Sequence, residues 1–292
     1  MELLTGILTS TIALGAIYAA SSVSLALLWG SISMLNLAHG AMIVIGAYGS
    51  VAVVTGLGLP WWTGLLGGMI AGAAGGLLLY VSQVRWIFGK ANFDLRIIIL
   101  TMAFSTIVVD LINNLIGAKI LRQPFQVEGR FDLGALSIGH QTLLVVCCSA
   151  LMVLLLQLVV HKTNLGRLIR AVSQDITAAR LNGVPVQAVI FQVTVLAGII
   201  SGASGVLLTS STTVYPGAGF DPLLKALIVC VLGGLGSIPG ALAASFALAG
   251  LETTVQYTLG VKWGFPVSLL VVVLVLVYRP TGLFGRQELE RN

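Results

Sequence analysis

Apolar residues run through this chain in long blocks separated by short polar breaks. Leu3–Trp29 is the first block. Gly30–Gly40, GSISMLNLAHG, interrupts it with Ser31, Ser33, Asn36 and His39, and Ala41–Thr55 resumes the apolar run. Trp61–Tyr80 follows, with Trp61 and Trp62 as an interfacial aromatic belt. It carries Gly64, Gly68, Gly72 and Gly76 at a spacing of four. Such a ladder lets a second helix approach closely, so that packing replaces the hydrophobic drive that lipid cannot supply. Ile97–Ile116 ends polar at Asp110, Asn113 and Asn114. Gln141–Val160 is rich in Leu and Val without Gly, and is expected to face lipid. Ala188–Thr209 carries Gly198 and Gly202 as a close-contact pair. Leu223–Leu235 and Ala241–Gln256 are two runs broken by Gly236-Ser237-Ile238-Pro239-Gly240, and Phe265–Tyr278 is the last. A membrane helix needs about 20 apolar residues, and lipid admits backbone only as helices or closed barrels. The pattern predicts an all-α polytopic membrane protein. It has about nine spans if the broken region counts twice, or eight with a re-entrant pair.

His161–Gln187, HKTNLGRLIRAVSQDITAARLNGVPVQ, breaks the rule. Leu165, Leu168, Ile169, Val172, Ile176 and Ala179 fall on one helical face, and Arg167, Arg170, Ser173, Gln174 and Thr177 on the other. Asn164 is the expected N-cap, and Asn182-Gly183 followed by Pro185 the stop signal. A basic amphipathic helix of this kind either lies flat on headgroups or docks in a groove of another protein.

The chain is 57% hydrophobic and 9% charged, with mean hydropathy +1.03. A soluble domain carries roughly 25% charged residues, so the solvent here is lipid. The net charge of +5 sits in a few short loops, as the positive-inside rule places it, and does not point to nucleic acid. Arg85, Lys90 and Arg96 mark Val81–Arg96 as cytoplasmic, which puts Gly117–His140 and Ser210–Phe220 outside. No Lys or Arg precedes Arg85. A cleaved signal is therefore not expected, and the N-terminus is read as facing away from the cytoplasm.

Candidate chemistry is sparse. Cys147, Cys148 and Cys230 lie inside apolar runs and read as small fillers, neither a disulfide framework nor a metal site. His39, His140 and His161 have no metal spacing. Asn36, His39 and Gly40 sit at a helix break. They either line a path or satisfy the backbone groups that a break exposes. Asp110 and Glu252 each lie late in a span, near the outer side. A carboxylate facing lipid is expensive, so each either meets a wet cavity, where it could receive an amino-acid ammonium, or lies exposed at the headgroups. They are also the one carboxylate pair a membrane enzyme could use. Leu25–Thr55 and Leu223–Gln256 share an order of apolar run, break and apolar run, with breaks at Asn36–Gly40 and Gly236–Gly240. The likeness is either an internal repeat, whose broken helices would hold substrate, or the common composition of Gly-rich segments.

Asn36-Leu37-Ala38-His39-Gly40 with Gly46-Ala47-Tyr48, Gly166-Arg167 through Arg170, Asp175, Ala179 and Gly183, Gly233–Gly240, and Tyr278-Arg279-Pro280-Thr281-Gly282-Leu283-Phe284-Gly285 together carry a resemblance. The chain resembles permease subunits of bacterial branched-chain amino acid ABC importers, of the LivH type, over nearly its whole length. The resemblance implies one transmembrane permease domain over residues 1–292 in the bacterial cell inner membrane, with a coupling segment at 161–187 and a cytoplasmic tail at 279–292. It implies a second, similar permease subunit, two cytoplasmic ATPases and a periplasmic binding protein that delivers substrate. Gly166, Arg167, Arg170, Asp175, Ala179 and Gly183 would then couple to an ATPase. The motifs do not separate amino acid permeases from relatives that carry urea or short amides. The residues agree on one point independently: no Gly-x-x-x-x-Gly-Lys-Ser/Thr segment occurs, so ATP, if it drives transport, acts on partner subunits and this chain binds no cofactor. A stand-alone carrier or channel is the reading that needs no partner.

Overall fold

The computed structural model describes residues 2–133, 136–279 and 282–284. α1 (Glu2–Ile32) is followed by α2 (His39–Val51), which runs on into a π turn at Ala52–Gly56. α3 (Thr63–Leu79) continues through a second π turn, Tyr80–Val84, into the short α4 (Arg85–Ile87). Next come α5 (Phe93–Leu115), the strands β1 (Arg130–Leu133) and β2 (Leu136–Gly139), and α6 (His140–Lys162). α7 (Asn164–Gln174), α8 (Ile176–Leu181) and α9 (Val186–Ser211) follow. The chain then forms α10 (Phe220–Gly233), α11 (Ile238–Leu259), a 3-10 turn at Val261–Trp263 and α12 (Gly264–Tyr278). Eight helices among the described residues are long and apolar enough to cross a membrane, and α10, with 14 residues, is not among them. The all-α expectation holds. The segment after α5, expected on the outer side, is more ordered than a plain loop, because β1 and β2 pair antiparallel with Arg130 opposite Gly139.

The helix packing has an internal symmetry. α3 packs on α9 as α11 packs on α1, α2 packs on α9 as α10 packs on α1, and α1 meets α9. α1 ends beside α7 and α8, where α9 begins, so α1 and α9 run in opposite directions. These are the relations of two units, α1–α2–α3 and α9–α10–α11, inverted about an axis in the membrane plane. Each unit has a long helix, a break and a shorter helix. The two breaks meet: a Cβ on Gly40 would strike the Gly219 carbonyl oxygen, and a Cβ on Gly219 would strike that of Gly40. The repeat is therefore real but differently registered from the sequence expectation. The break at 33–38 corresponds to 212–219, not to Gly236–Gly240. The latter is a tight turn between antiparallel α10 and α11, with Gly234 and Gly236 at φ 94° and 81° and Ser237 Oγ accepting the Gly240 N–H at 3.1 Å.

Close backbone approach holds the centre together. Gly68, Gly72 and Gly76 of α3 face Gly202, Gly198 and Thr194 of α9, and at each a Cβ would press on the partner's backbone. Gly46 of α2 meets Gly202 from another side, and Gly64 faces Ser50 and Phe125. By contrast, α5, α6 and α12 bury little: 22%, 22% and 17% of their apolar windows, against 78% for α1. They form the rim, as the Gly-free composition of α6 predicts.

The described part of the tail is a cap. Leu283 N–H donates to the Leu232 carbonyl at 2.8 Å, and Phe284 N–H to that of Gly233 at 3.2 Å. These are C-terminal carbonyls of α10 that the helix itself leaves unpaired. Gly282, at φ +78°, turns the chain against Val231 and Gly234, where a Cβ has no room. Gly282→Val combines backbone strain with a lost cap, about 1–3 kcal/mol. Its melting midpoint in detergent is expected to fall by several degrees, and a midpoint equal to that of the parent would show that the cap contributes nothing. Pro280, Thr281 and Gly285 and the rest of the expected cytoplasmic tail lie outside the described residues.

Candidate functional site

The break before α2 is built from its own polar residues. Ser33 takes a left-handed conformation, φ 51°. Asn36 Oδ1 accepts the Ala38 N–H at 3.0 Å, an Asx turn that starts the helix. Leu37 N–H donates to Thr101 Oγ1 of α5 at 3.1 Å. His39 Nδ1 lies 3.0 Å from Ser201 Oγ and 3.3 Å from Ser24 Oγ, which ties α2 to α9 and α1. Asn36 and His39 are fully buried and line neither of the two cavities beside the break. Their bonds are those of residues that satisfy a break. His39 Nε2 stays buried without a partner among the described residues.

Two cavities flank the meeting point of the shorter helices. One, of about 260 Å³, is bounded by Gly40 and Val44 of α2, Thr106 and Asp110 of α5, and Gly219 and Phe220 at the start of α10. It brings Gly40 and the exposed Asp110 together. The other, of about 230 Å³, lies between α1, α9 and α10 and is lined by Tyr18, Asp221 and Lys225 among others. Behind it Glu252 is not exposed. It is buried and paired: Lys225 Nζ reaches Glu252 Oε1 at 2.8 Å and Tyr18 Oη at 2.5 Å. Tyr18 Oη in turn donates to Glu252 Oε2 at 2.6 Å, and Gln256 Nε2 donates to Oε1 at 3.2 Å. The ammonium also stands 5.0 Å from the Tyr18 ring centre. A buried carboxylate with a cation and two donors is satisfied, and this network links α1, α10 and α11. Asp110 lines the first cavity and Glu252 lies behind the second, bonded to Tyr18, Lys225 and Gln256, so the structure assembles no carboxylate pair from them.

The basic segment is two helices, not one. α7 stops at Gln174, and Asp175 takes an extended conformation, accepting the Thr177 and Ala178 N–H groups at 2.7 and 2.9 Å as the N-cap of α8. An Asp that caps from its side chain competes with helix continuation, which is why a single amphipathic rod does not form. The cap of α7 is Thr163, one residue before the expected Asn164, and Thr163 Oγ1 accepts the Gly166 N–H. Gly166 lies so close to the Val160 carbonyl that a Cβ would overlap it, so α7 folds back sharply on α6. Ile169, Val172 and Ala179 are buried and Ile176 is at the surface, while Arg167, Arg170, Ser173, Gln174 and Thr177 are exposed. Gly183, at φ +78°, ends the segment in open space. Val172–Arg180 borders a groove of about 460 Å³ against Ser31–Ser33 and the Phe88–Asp94 turn.

Sequence patterning passed over Lys225 and Tyr18. The available signal was the one cation inside an otherwise apolar run, and an ionisable residue at membrane depth calls for a partner. The grouping of three or more His, Cys, Asp or Glu that a metal would need does not occur among the described residues.

The model of the family described as branched-chain amino acid transport system / permease component matches residues 7–278. The high-affinity branched-chain amino acid transport system permease protein LivH of Escherichia coli K12 is 28% identical over 295 residues, covering 96% of this chain and 95% of that protein. The corresponding protein BraD of Pseudomonas aeruginosa is 27% identical over 296 residues, 97% of this chain and 96% of its own. Among solved structures, PsaBC from Streptococcus pneumoniae in complex with Fab superposes with a TM-score of 0.52 at 17% identity, covering 98% of this chain and 94% of that one. A likeness at that identity speaks to the fold alone.

Proposed function

We infer the role of this chain from one premise: it belongs to the family of branched-chain amino acid transport system permease components. It is a multi-pass membrane permease subunit of an ABC importer that moves branched-chain amino acids. The observation that carries this reading is the family match across residues 7–278. ATPase and binding-protein partners follow from membership. Their finer arrangement is our proposal: a second, similar permease subunit, two ATPases on the inner face and a periplasmic receptor at the outer face, in the bacterial inner membrane. In this arrangement the partners use the ATP and this chain holds no nucleotide.

Gly166, Arg167, Arg170, Asp175, Ala179 and Gly183 would form the coupling element. Gly166 and the Asp175 cap set the path of the two short helices. Arg167 and Arg170 present cations outward, and Val172 and Ala179 seat the pair on α1 and α9. An ATPase that moves this element moves α9, and with α9 the break where α2 and α10 meet. Gly40 and Asp110 border the cavity at that break and would lie along the path. Asn36 and His39 would support it from behind.

The test is reconstitution with the ATPases and receptor in vesicles, with labelled L-leucine outside and ATP inside. ATP-dependent accumulation is expected, and uptake by this chain alone would favour a stand-alone carrier. Urea or a short amide that moved instead of leucine would shift the substrate class. Val172→Asp puts a carboxylate under the coupling element, where Val172 is 2% exposed. Uptake is expected to fall at least about tenfold, since an unpaired buried charge costs several kcal/mol, with membrane insertion unchanged. Full uptake at normal expression would contradict the coupling role.

A further inference from the structure

The cavity between α1, α9 and α10 holds more polar capacity than its ion pair consumes. Lys225 spends two ammonium N–H groups on Tyr18 and Glu252, and an ammonium has three. Ser21 is 3% exposed, and its Oγ has no hydrogen-bond partner among the described residues, although it lines the cavity. A buried hydroxyl left unsatisfied at a cavity wall needs an explanation. Asp221 lies in the first turn of α10, four residues before Lys225, so both point from one face of the helix. Among the described residues Asp221 joins no salt bridge, the one ion pair being Lys225 with Glu252. Lys225 and Glu252 cancel, and Asp221 remains as the net charge of the site. Leu14 and Ile17 of α1, on the same helix as Ser21, and Leu208 of α9 supply apolar lining.

We propose that this cavity is a binding station for one α-amino acid in transit, taking the ammonium at Asp221, the carboxylate at Lys225 Nζ and Ser21 Oγ, and the side chain against Leu14, Ile17 and Leu208. The proposal rests on the permease reading above and adds to it a site within the chain itself. Both charged poles of the zwitterion find a complement, and an aliphatic side chain finds the apolar lining. Urea and short amides carry neither pole, so the same site discriminates against them. Glu252, behind the cavity, holds Lys225 in place without touching solute, and Tyr18 shares the cavity wall with Lys225.

Thr213 is exposed and lines the same cavity, which makes it a reporter. The permease complex with its partner subunits is placed in nanodiscs without the receptor protein, carrying Thr213→Cys with Cys147→Ala and Cys148→Ala. Maleimide labelling is followed against L-leucine, leucinamide, which lacks the carboxylate, and isocaproate, which lacks the ammonium. Leucine is expected to protect the thiol, and each analogue to need at least about tenfold more for half-protection, the worth of one charge-assisted hydrogen bond. Asp221→Asn and Ser21→Ala should raise the half-protecting leucine concentration, the first by about fivefold because Asp221 is exposed, without changing labelling in the absence of solute. Isocaproate protecting as well as leucine, or protection that Asp221→Asn leaves unchanged, would overturn the assignment. The analogue series needs no variant in the site, so it decides even where Asp221→Asn assembles poorly. ATP-driven leucine uptake by the parent complex with its receptor is measured alongside. Normal uptake without protection removes this station alone, whereas no uptake removes the permease reading and the station with it.

Discussion

Gly72→Leu is expected to prevent recovery of folded protein. Gly72 sits where α3 and α9 touch, with the Gly198 carbonyl oxygen, the Gly202 Cα and the Gly202 nitrogen all within overlap range of an added Cβ. These are backbone atoms of a buried helix and cannot rotate away as a side chain would. Relief requires the two helices to part, and α9 cannot move alone because Ser201 on it holds His39 of α2 and Ser24 of α1. In lipid, association rests on close packing rather than on a hydrophobic drive, so a parted pair has little to restore it. Overpacking of a tight core costs about 1–3 kcal/mol and occasionally more, and a backbone-to-backbone contact belongs at the upper end. Gly68→Leu should behave alike, because Val206 and the Gly46 carbonyl crowd it. Gly56→Leu is the control, since a Cβ there meets nothing within 4 Å. Yield of monodisperse protein and melting midpoint in detergent are the readouts. Equal values for Gly72→Leu and Gly56→Leu would show that this glycine contact does not hold the fold.

The spans were legible because their cause is local. All the apolar blocks but Leu223–Leu235 fall in helices long enough to cross lipid, and glycines at a spacing of four disclose a close contact before its partner is known. The structure supplies that partner as Gly198 and Gly202 and adds Gly46, whose role the spacing could not reveal because it stands on α2, outside the ladder. The register of the repeat was not legible. Comparing breaks by glycine content aligned Asn36–Gly40 with Gly236–Gly240, whereas the fold aligns 33–38 with 212–219. A shorter helix inside the membrane and a tight surface turn can share a composition, and helix order tells them apart. The division of the coupling segment at Asp175 was missed for a related reason. Hydrophobic periodicity continues across the break, from Val172 to Ile176 and Ala179, and an Asp inside a run reads as a polar-face residue until its side chain is seen capping Thr177 and Ala178. Of the candidate path residues, Gly40 and Asp110 come together at one cavity. Glu252 joins Lys225, which patterning had absorbed into an apolar run.

That ion pair yields the second large effect. Lys225→Met keeps most of the aliphatic stem and removes the charge. Glu252, its side chain 4% exposed, is then left with Tyr18 and Gln256 as neutral donors and no cation. Removing one partner of a buried pair costs about 3–5 kcal/mol, because the survivor cannot be rehydrated. Glu252→Gln is milder, since Lys225 is 21% exposed and can still reach water in the cavity, so about 1–3 kcal/mol is expected. The double variant Lys225→Met with Glu252→Gln leaves no stranded charge. It should recover much of the stability lost in Lys225→Met, with a coupling energy of about 1–3 kcal/mol in the cycle. Recovery of stability does not imply recovery of transport. If Lys225 serves only to neutralise Glu252, uptake by the double variant returns with its melting midpoint. If its third N–H also receives a substrate carboxylate, the double variant melts close to the parent yet transports poorly. A double variant no more stable than Lys225→Met would mean that the pair is not the tie between α10 and α11 that its geometry describes.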